Sequence, residues 1–115
     1  MELNKNEINW NDFSKIEMRV GTIISAEVFK EVKNPAYKII VDFGEYGTRK
    51  TSAQITKLYK SEELIGLQII AVLNFPPKQI ANIMSECLIL GAVGDNKDVI
   101  LIQPEKNIEN GLKIG

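Results

Sequence analysis

The sequence predicts an all-β domain built as a small closed barrel. Three observations lead there. Apolar residues alternate with polar ones in short β-branched runs, most cleanly over 37–43. Turn residues break these runs at Gly44–Gly47, at Pro76–Pro77 and at Gly94–Lys97. The resulting order is three strands, a short helix, two strands, then an extra strand and a tail. That is the plan of a five-stranded OB-fold barrel, with the helix between strands 3 and 4 and extensions at both ends. A small sandwich is the competing architecture.

The elements follow in order. Residues 1–11 read as a frayed lead-in. A short helical turn over 11–16 takes Asn11 or Asp12 as its cap and puts Trp10, Phe13 and Ile16 on one side. Residues 19–29 form the first strand, with Gly21 marking a bulge or a sharp bend. In the second, Tyr37, Ile39, Val41 and Phe43 take one face, Lys38 and Asp42 the other, with Ile40 between them. Residues 48–55 are the most polar strand. If Ala53 and Ile55 point inward, then Lys50, Ser52 and Gln54 point outward. Ser61 caps the short helix, Glu62 and Glu63 complement its positive end, and Gly66 sits at its C′ position. Strands over 67–75, 86–93 and 99–103 complete the plan.

Composition narrows the function. The 115 residues fit one domain spanning 1–115, and 44% hydrophobic with 25% charged residues excludes wholesale disorder. No apolar run approaches the ~20 residues of a membrane helix. The first ten residues are polar and lack a secretory h-region, so the expected location is cytoplasmic, away from membranes. The chain has no histidine and one cysteine, Cys87. That removes the commonest general base, every Ser-His or Cys-His pair, intramolecular disulfides and thiolate zinc sites. Glu62 and Glu63 are neighbours that do not face each other on a helix, Ser85 lacks a base, and no glycine-rich phosphate loop is present. The reading is a non-enzyme with no catalytic residues, metal or cofactor.

The net charge is −1, yet residues 46–61 carry four basic side chains (Arg49, Lys50, Lys57, Lys60) and no acidic one. OB-folds bind ligands across strands 2 and 3 and the adjoining loops. Those strands expose Lys38, Lys50, Ser52 and Gln54, with Lys33 and Asn34 in the loop before them and Asn74, Lys78 and Ser85 at the rim. Lysines suit phosphates; Ser, Gln and Asn suit base edges or peptide groups. Tyr46 and Tyr59 are the candidate stacking aromatics.

The last three strands are apolar on both faces, which exceeds what one barrel interior absorbs. The N-terminal turn and the tail can cover some of the excess. The sharper expectation is a homodimer interface. Its candidates are Trp10, Phe13 and Ile16 from the N-terminal turn and Ile70, Val72, Phe75, Pro76 and Pro77 from strand 4 and its end. Leu88, Leu90, Ile100 and Ile102 from the last strands join them.

Several motifs then converge on a family. Asp12-Phe13-Ser14-Lys15-Ile16-Glu17-Met18-Arg19-Val20-Gly21 resembles the opening of the tRNA-binding OB domain, found free-standing and appended to some aminoacyl-tRNA synthetases. The similarity continues through Asn34-Pro35-Ala36, Asp42-Phe43-Gly44, Leu64-Ile65-Gly66, Asn74 to Ile80 and Ser85-Glu86, which adds Glu86 to the candidate ligand residues. The chain departs from tRNA-binding members at Ala53, Asn82, Cys87 and Leu88, where they carry Gly, Gly, Gly and Met. Residues 50–57, 72–77, 103–104 and 110–115 look most like the small secretion-associated chaperones of the family. That resemblance implies a homodimer in which the N-terminal segment and the 104–115 tail build the interface. It also implies binding of unfolded polypeptide or preprotein, without ATP or metal. The rival it leaves is a tRNA-binding module using the basic OB face.

Overall fold

A computed structural model describes residues 6–115. Residues 1–5 of the expected lead-in lie outside the described residues. Helix α1 (Trp10–Ser14) begins within the remainder of that lead-in. Its cap is Asn9 rather than Asn11 or Asp12. Asn9 Oδ1 accepts the Asp12 N–H at 2.9 Å and Asp12 Oδ2 accepts the Asn9 N–H at 3.0 Å, a reciprocal capping box.

Strands β1 (Met18–Val28), β2 (Tyr37–Asp42) and β3 (Thr48–Ala53) form a meander. They join β4 (Gln68–Val72) and β7 (Leu88–Ile89) in one antiparallel sheet of order β3-β2-β1-β4-β7. β1 serves two partners, with its first half on β4 and its second half on β2. The register slips between Ile23 and Ser25, which turns Ile24 outward. The bulge therefore falls at Ile24, not at Gly21. Gly21 answers a close approach instead: a Cβ there would lie 2.6 Å from both Val41 and the Phe43 ring. The sheet curls until Glu86 reaches β3, its N–H donating to Lys50 O at 2.8 Å. The result is the nearly closed five-strand barrel of an OB-fold.

The alternation in β2 is realised in full: Tyr37, Ile39 and Val41, with Phe43 just beyond, are all buried. They pack with Ile23, Leu64, Ile69, Ala71 and Leu73. Helix α2 (Ser61–Leu64) plugs the barrel through Leu64. Its cap position is Lys60, not Ser61, because the Glu63 carboxylate turns back to accept the Lys60 N–H at 2.7 Å. Gly66 takes the expected C′ role with φ +93.

Two features depart from the sequence plan. Pro76-Pro77 is followed by a small hairpin, β5 (Lys78–Ile80) and β6 (Ile83–Ser85), where no strand was expected. Residues 86–93 form two strands rather than one: β7 pairs β4, and β8 (Gly91–Val93) pairs β9 (Val99–Leu101). Leu90 is the switch, its N–H donating to Ile70 O at 2.9 Å and its carbonyl accepting the Ile102 N–H at 3.2 Å.

The tail is engaged within its own chain. Gly111 N–H donates to Val20 O, Val20 N–H to Leu112 O and Ile114 N–H to Met18 O, so the tail continues the β1 edge that β2 leaves free. Arg19 locks it there, stacking 3.9 Å above the Tyr46 ring and donating to Gly111 O at 2.8 Å. Gln68 fixes the passage before it, its side chain bonding both the carbonyl and the N–H of Ile108.

Candidate ligand-binding groove

β3 carries the site because it is the polar strand at the seam of the barrel. Thr51 points inward and is 2% exposed. Its hydroxyl donates to Cys87 O at 2.8 Å and lies 2.9 Å from Ser85 Oγ, which ties β3 to the end of the β5–β6 hairpin. The hairpin thereby crosses the outer face and divides it into cavities.

Lys33, Asn34, Ser52 and Gln54 come together around one of about 220 Å³, with Ile80 of the hairpin. Lys38 and Lys50 line another of about 160 Å³, with Glu27 and Ile83. Ser52, Lys78 and Ser85 rim a larger one, about 370 Å³, whose walls are Phe75, Pro76, Ile80, Cys87 and Leu88. A fourth, about 350 Å³, runs on from it between Ile55 on one side and Leu88, Ile89 and Val99 on the other. These last two are walled mainly by carbon.

Two candidates do not join this face. Asn74 Oδ1 accepts the Glu17 N–H at 3.0 Å and its Nδ2 donates to Lys15 O at 2.6 Å, so it anchors the α1–β1 junction. The Glu86 carboxylate accepts the Lys50 N–H at 2.9 Å and is spent on closing the barrel. The basic run is also partly structural. Arg49 donates to Leu73 O and Glu86 O, and Lys57 donates to Asn96 O. Lys38 lies 3.3 Å from the Glu27 carboxylate, whereas Lys33, Lys50 and Lys78 have no carboxylate partner among the described residues. Both candidate stacking aromatics are already engaged within the chain, although Tyr46 remains 38% exposed. Tyr46 lies under Arg19, and the half-buried Tyr59 accepts the Leu101 N–H at its hydroxyl.

Sequence reading missed Thr51, Ile80 and Ile83 as parts of the site. Only the alternation that buries Thr51 was available as a signal. Cys87 lines the groove but is buried, and that burial pushes its thiol up to about 12, against a smaller opposing pull from Arg49. Among the described residues no group of three or more Cys, Asp or Glu is placed to hold a metal ion.

The interface candidates divide. Trp10, Ile16, Phe75, Pro76, Pro77, Leu88, Ile100 and Ile102 are exposed, and Phe13 and Leu90 are half-buried. Trp10 is 71% exposed, with its ring 5.5 Å from that of Phe13. Ile70 and Val72 are already buried within the chain, each 6% exposed, and have little left to give a partner. They share a face with Val20 and Met18, beside the docked tail.

Comparison with known proteins agrees with this geometry. A family model described as "Putative tRNA binding domain" matches residues 18–113. The methionine–tRNA ligase of Methanococcoides burtonii is 37% identical over 107 residues, 93% of this chain but only 16% of the ligase. The crystal structure of the chaperone CsaA from Bacillus anthracis superimposes with a TM-score of 0.91 at 50% identity, covering 95% of this chain and 99% of that one. CsaA from Picrophilus torridus gives 0.88 at 52% identity, covering 95% and 100%. A MetRS-related protein from Pyrococcus horikoshii gives 0.84 at 30% identity, covering both chains entirely. The chain belongs to the tRNA-binding domain family and, within it, is similar to the CsaA chaperones.

Proposed function

We propose that this protein is a non-catalytic, cytoplasmic, homodimeric chaperone that holds unfolded or export-bound polypeptide. The observation that carries the reading is the apolar walling of the 370 Å³ groove by Phe75, Pro76, Ile80, Cys87 and Leu88, with Lys78 at its rim. Apolar side chains of an unfolded client gain by leaving water there, at roughly 25 cal/mol per Å². The similarity to CsaA chaperones along nearly the whole chain supports it. Phe75 and Leu88 belong both to the groove and to the exposed apolar surface offered for dimerisation, so a second copy would border the bound client.

Membership of a tRNA-binding family supports a second reading, in which Lys33, Lys50 and Lys78 meet phosphates. The engagement of Tyr46 by Arg19 and the packing of Tyr59 against the core favour the first. Fluorescence anisotropy with bulk tRNA and with a labelled unfolded protein, at low and physiological salt, separates them. Polypeptide binding that tolerates salt is expected. Micromolar tRNA binding that falls about 0.7 log units per phosphate contact for each tenfold rise in salt, with no polypeptide binding, defeats the chaperone reading. A monomeric mass by light scattering defeats the dimer.

A further inference from the structure

The edge of β3 that faces away from β2 carries an unfinished ladder. Lys50 turns both its N–H and its C=O to this edge, where Glu86 meets them at 2.9 and 2.8 Å. In an antiparallel strand these groups alternate in direction, so Ser52, two residues on, presents its N–H and C=O at the same edge. β7 packs near β3 without hydrogen bonding to Ser52, whose carbonyl meets, among the described residues, only the hydroxyl of its neighbour Thr51, at 3.4 Å. After Cys87 the chain leaves to pair with β4, through Val72 with Leu88 and Ala71 with Ile89. No backbone hydrogen bond joins Ser52 to β7 among the described residues.

The cavities converge on this point. Ser52 lines three of them: the polar one with Lys33 and Asn34, the groove under Phe75, and the channel between Ile55 and Leu88. Gln54 lines the first and third. The core-facing Ala53 and Ile55 line the channel only, while Lys33 and Asn34 line the polar cavity only, so the two lie on either side of one strand edge. Successive side chains of an extended segment point to opposite faces. A segment laid along this edge sends one residue into the apolar channel and the next toward Lys33.

We propose that the seam is a strand-addition site. An extended client segment, apolar at alternate positions with polar or acidic residues between, continues the β3 ladder from Ser52 where Glu86 stops. The inference rests on the polypeptide reading above and adds its mode and its preferred segment. Main-chain hydrogen bonds supply affinity for many sequences, and the alternating cavities supply the preference.

The test uses the full chain and a short fluorescent peptide alternating leucine with glutamate or serine. Two further versions are N-methylated at alternate residues, one in each register. Methylation in one register is expected to weaken binding at least about tenfold, the other within about twofold, because only one set of amides faces the strand. In amide hydrogen exchange, the bound peptide is expected to slow Ser52 about tenfold or more. Equal effects in both registers, or an unprotected Ser52 with the peptide bound, overturn strand addition and leave groove capture standing. If neither the peptide nor an unfolded protein binds, both readings fall.

Discussion

Glu86 holds Lys50 by both of its backbone groups, donating its own N–H to the carbonyl at 2.8 Å and accepting the Lys50 N–H on its carboxylate at 2.9 Å. A side chain thus completes a rung of the ladder that a neighbouring strand would otherwise supply. Glu86→Ala is expected to lower stability by about 1–2 kcal/mol, and Glu86→Gln by less, since the amide oxygen still accepts. Urea denaturation reads the difference as a shifted midpoint at constant slope. A midpoint unchanged in both variants would return Glu86 to the ligand-contact role its sequence suggests.

Asn74 carries the α1–β1 junction on two hydrogen bonds. Asn74→Ala is expected to cost about 1 kcal/mol and to loosen α1. The only tryptophan, Trp10, sits on that helix, so its emission reports the change directly.

Ala81 sits at φ +49 in the two-residue turn between Ile80 and Ile83. An L-residue there carries strain of roughly 1 kcal/mol that glycine does not. Ala81→Gly is expected to raise the melting temperature by a few degrees, measured by circular dichroism. A fall would mean that the lost unfolded-state restriction outweighs the relieved strain.

Cys87 holds its proton up to about 12, against an ordinary value of 9.0. At pH 8 the native thiol is expected to resist iodoacetamide, and the urea-unfolded thiol to react. The same shift makes stability fall with rising pH. Between about 9 and 12 the unfolded chain has released a proton that the folded chain keeps, so alkali favours unfolding. Denaturation midpoints across that range should drop less steeply in Cys87→Ser.

Lys78 rims the groove and Lys50 lines the cavity it shares with Lys38, both without carboxylate partners among the described residues. The Lys50→Ala, Lys78→Ala double variant is expected to weaken any tRNA binding about tenfold or more at low salt while changing polypeptide binding little. Equal losses would place both ligands on one surface.

The barrel was legible where its residues repeat with a period of two. Tyr37, Ile39, Val41 and Phe43 declared a buried face because each step along a strand reverses the side chain. The β5–β6 hairpin was not legible, because three-residue strands holding Lys78, Gln79 and Met84 are too short to show a period. The caps misled for a different reason: Asn9, Asn11 and Asp12 all carry capping chemistry, and only packing chooses among them. The site was half legible. Lys33, Asn34, Ser52 and Gln54 do meet. Asn74 and Glu86 have the same polar chemistry, but their partners lie 57 and 36 residues away in the chain, beyond any local pattern.

Arg19 and Gly111 are joined across 92 residues, and the tail completes an edge of the first strand. Contacts this distant in sequence close late and slow the search for the native state. Until residues 111–114 dock, the Met18–Val20 edge stays bare, and a bare strand edge is a template for pairing with another chain. A chain whose tail is undocked is therefore the form in which this edge invites self-association.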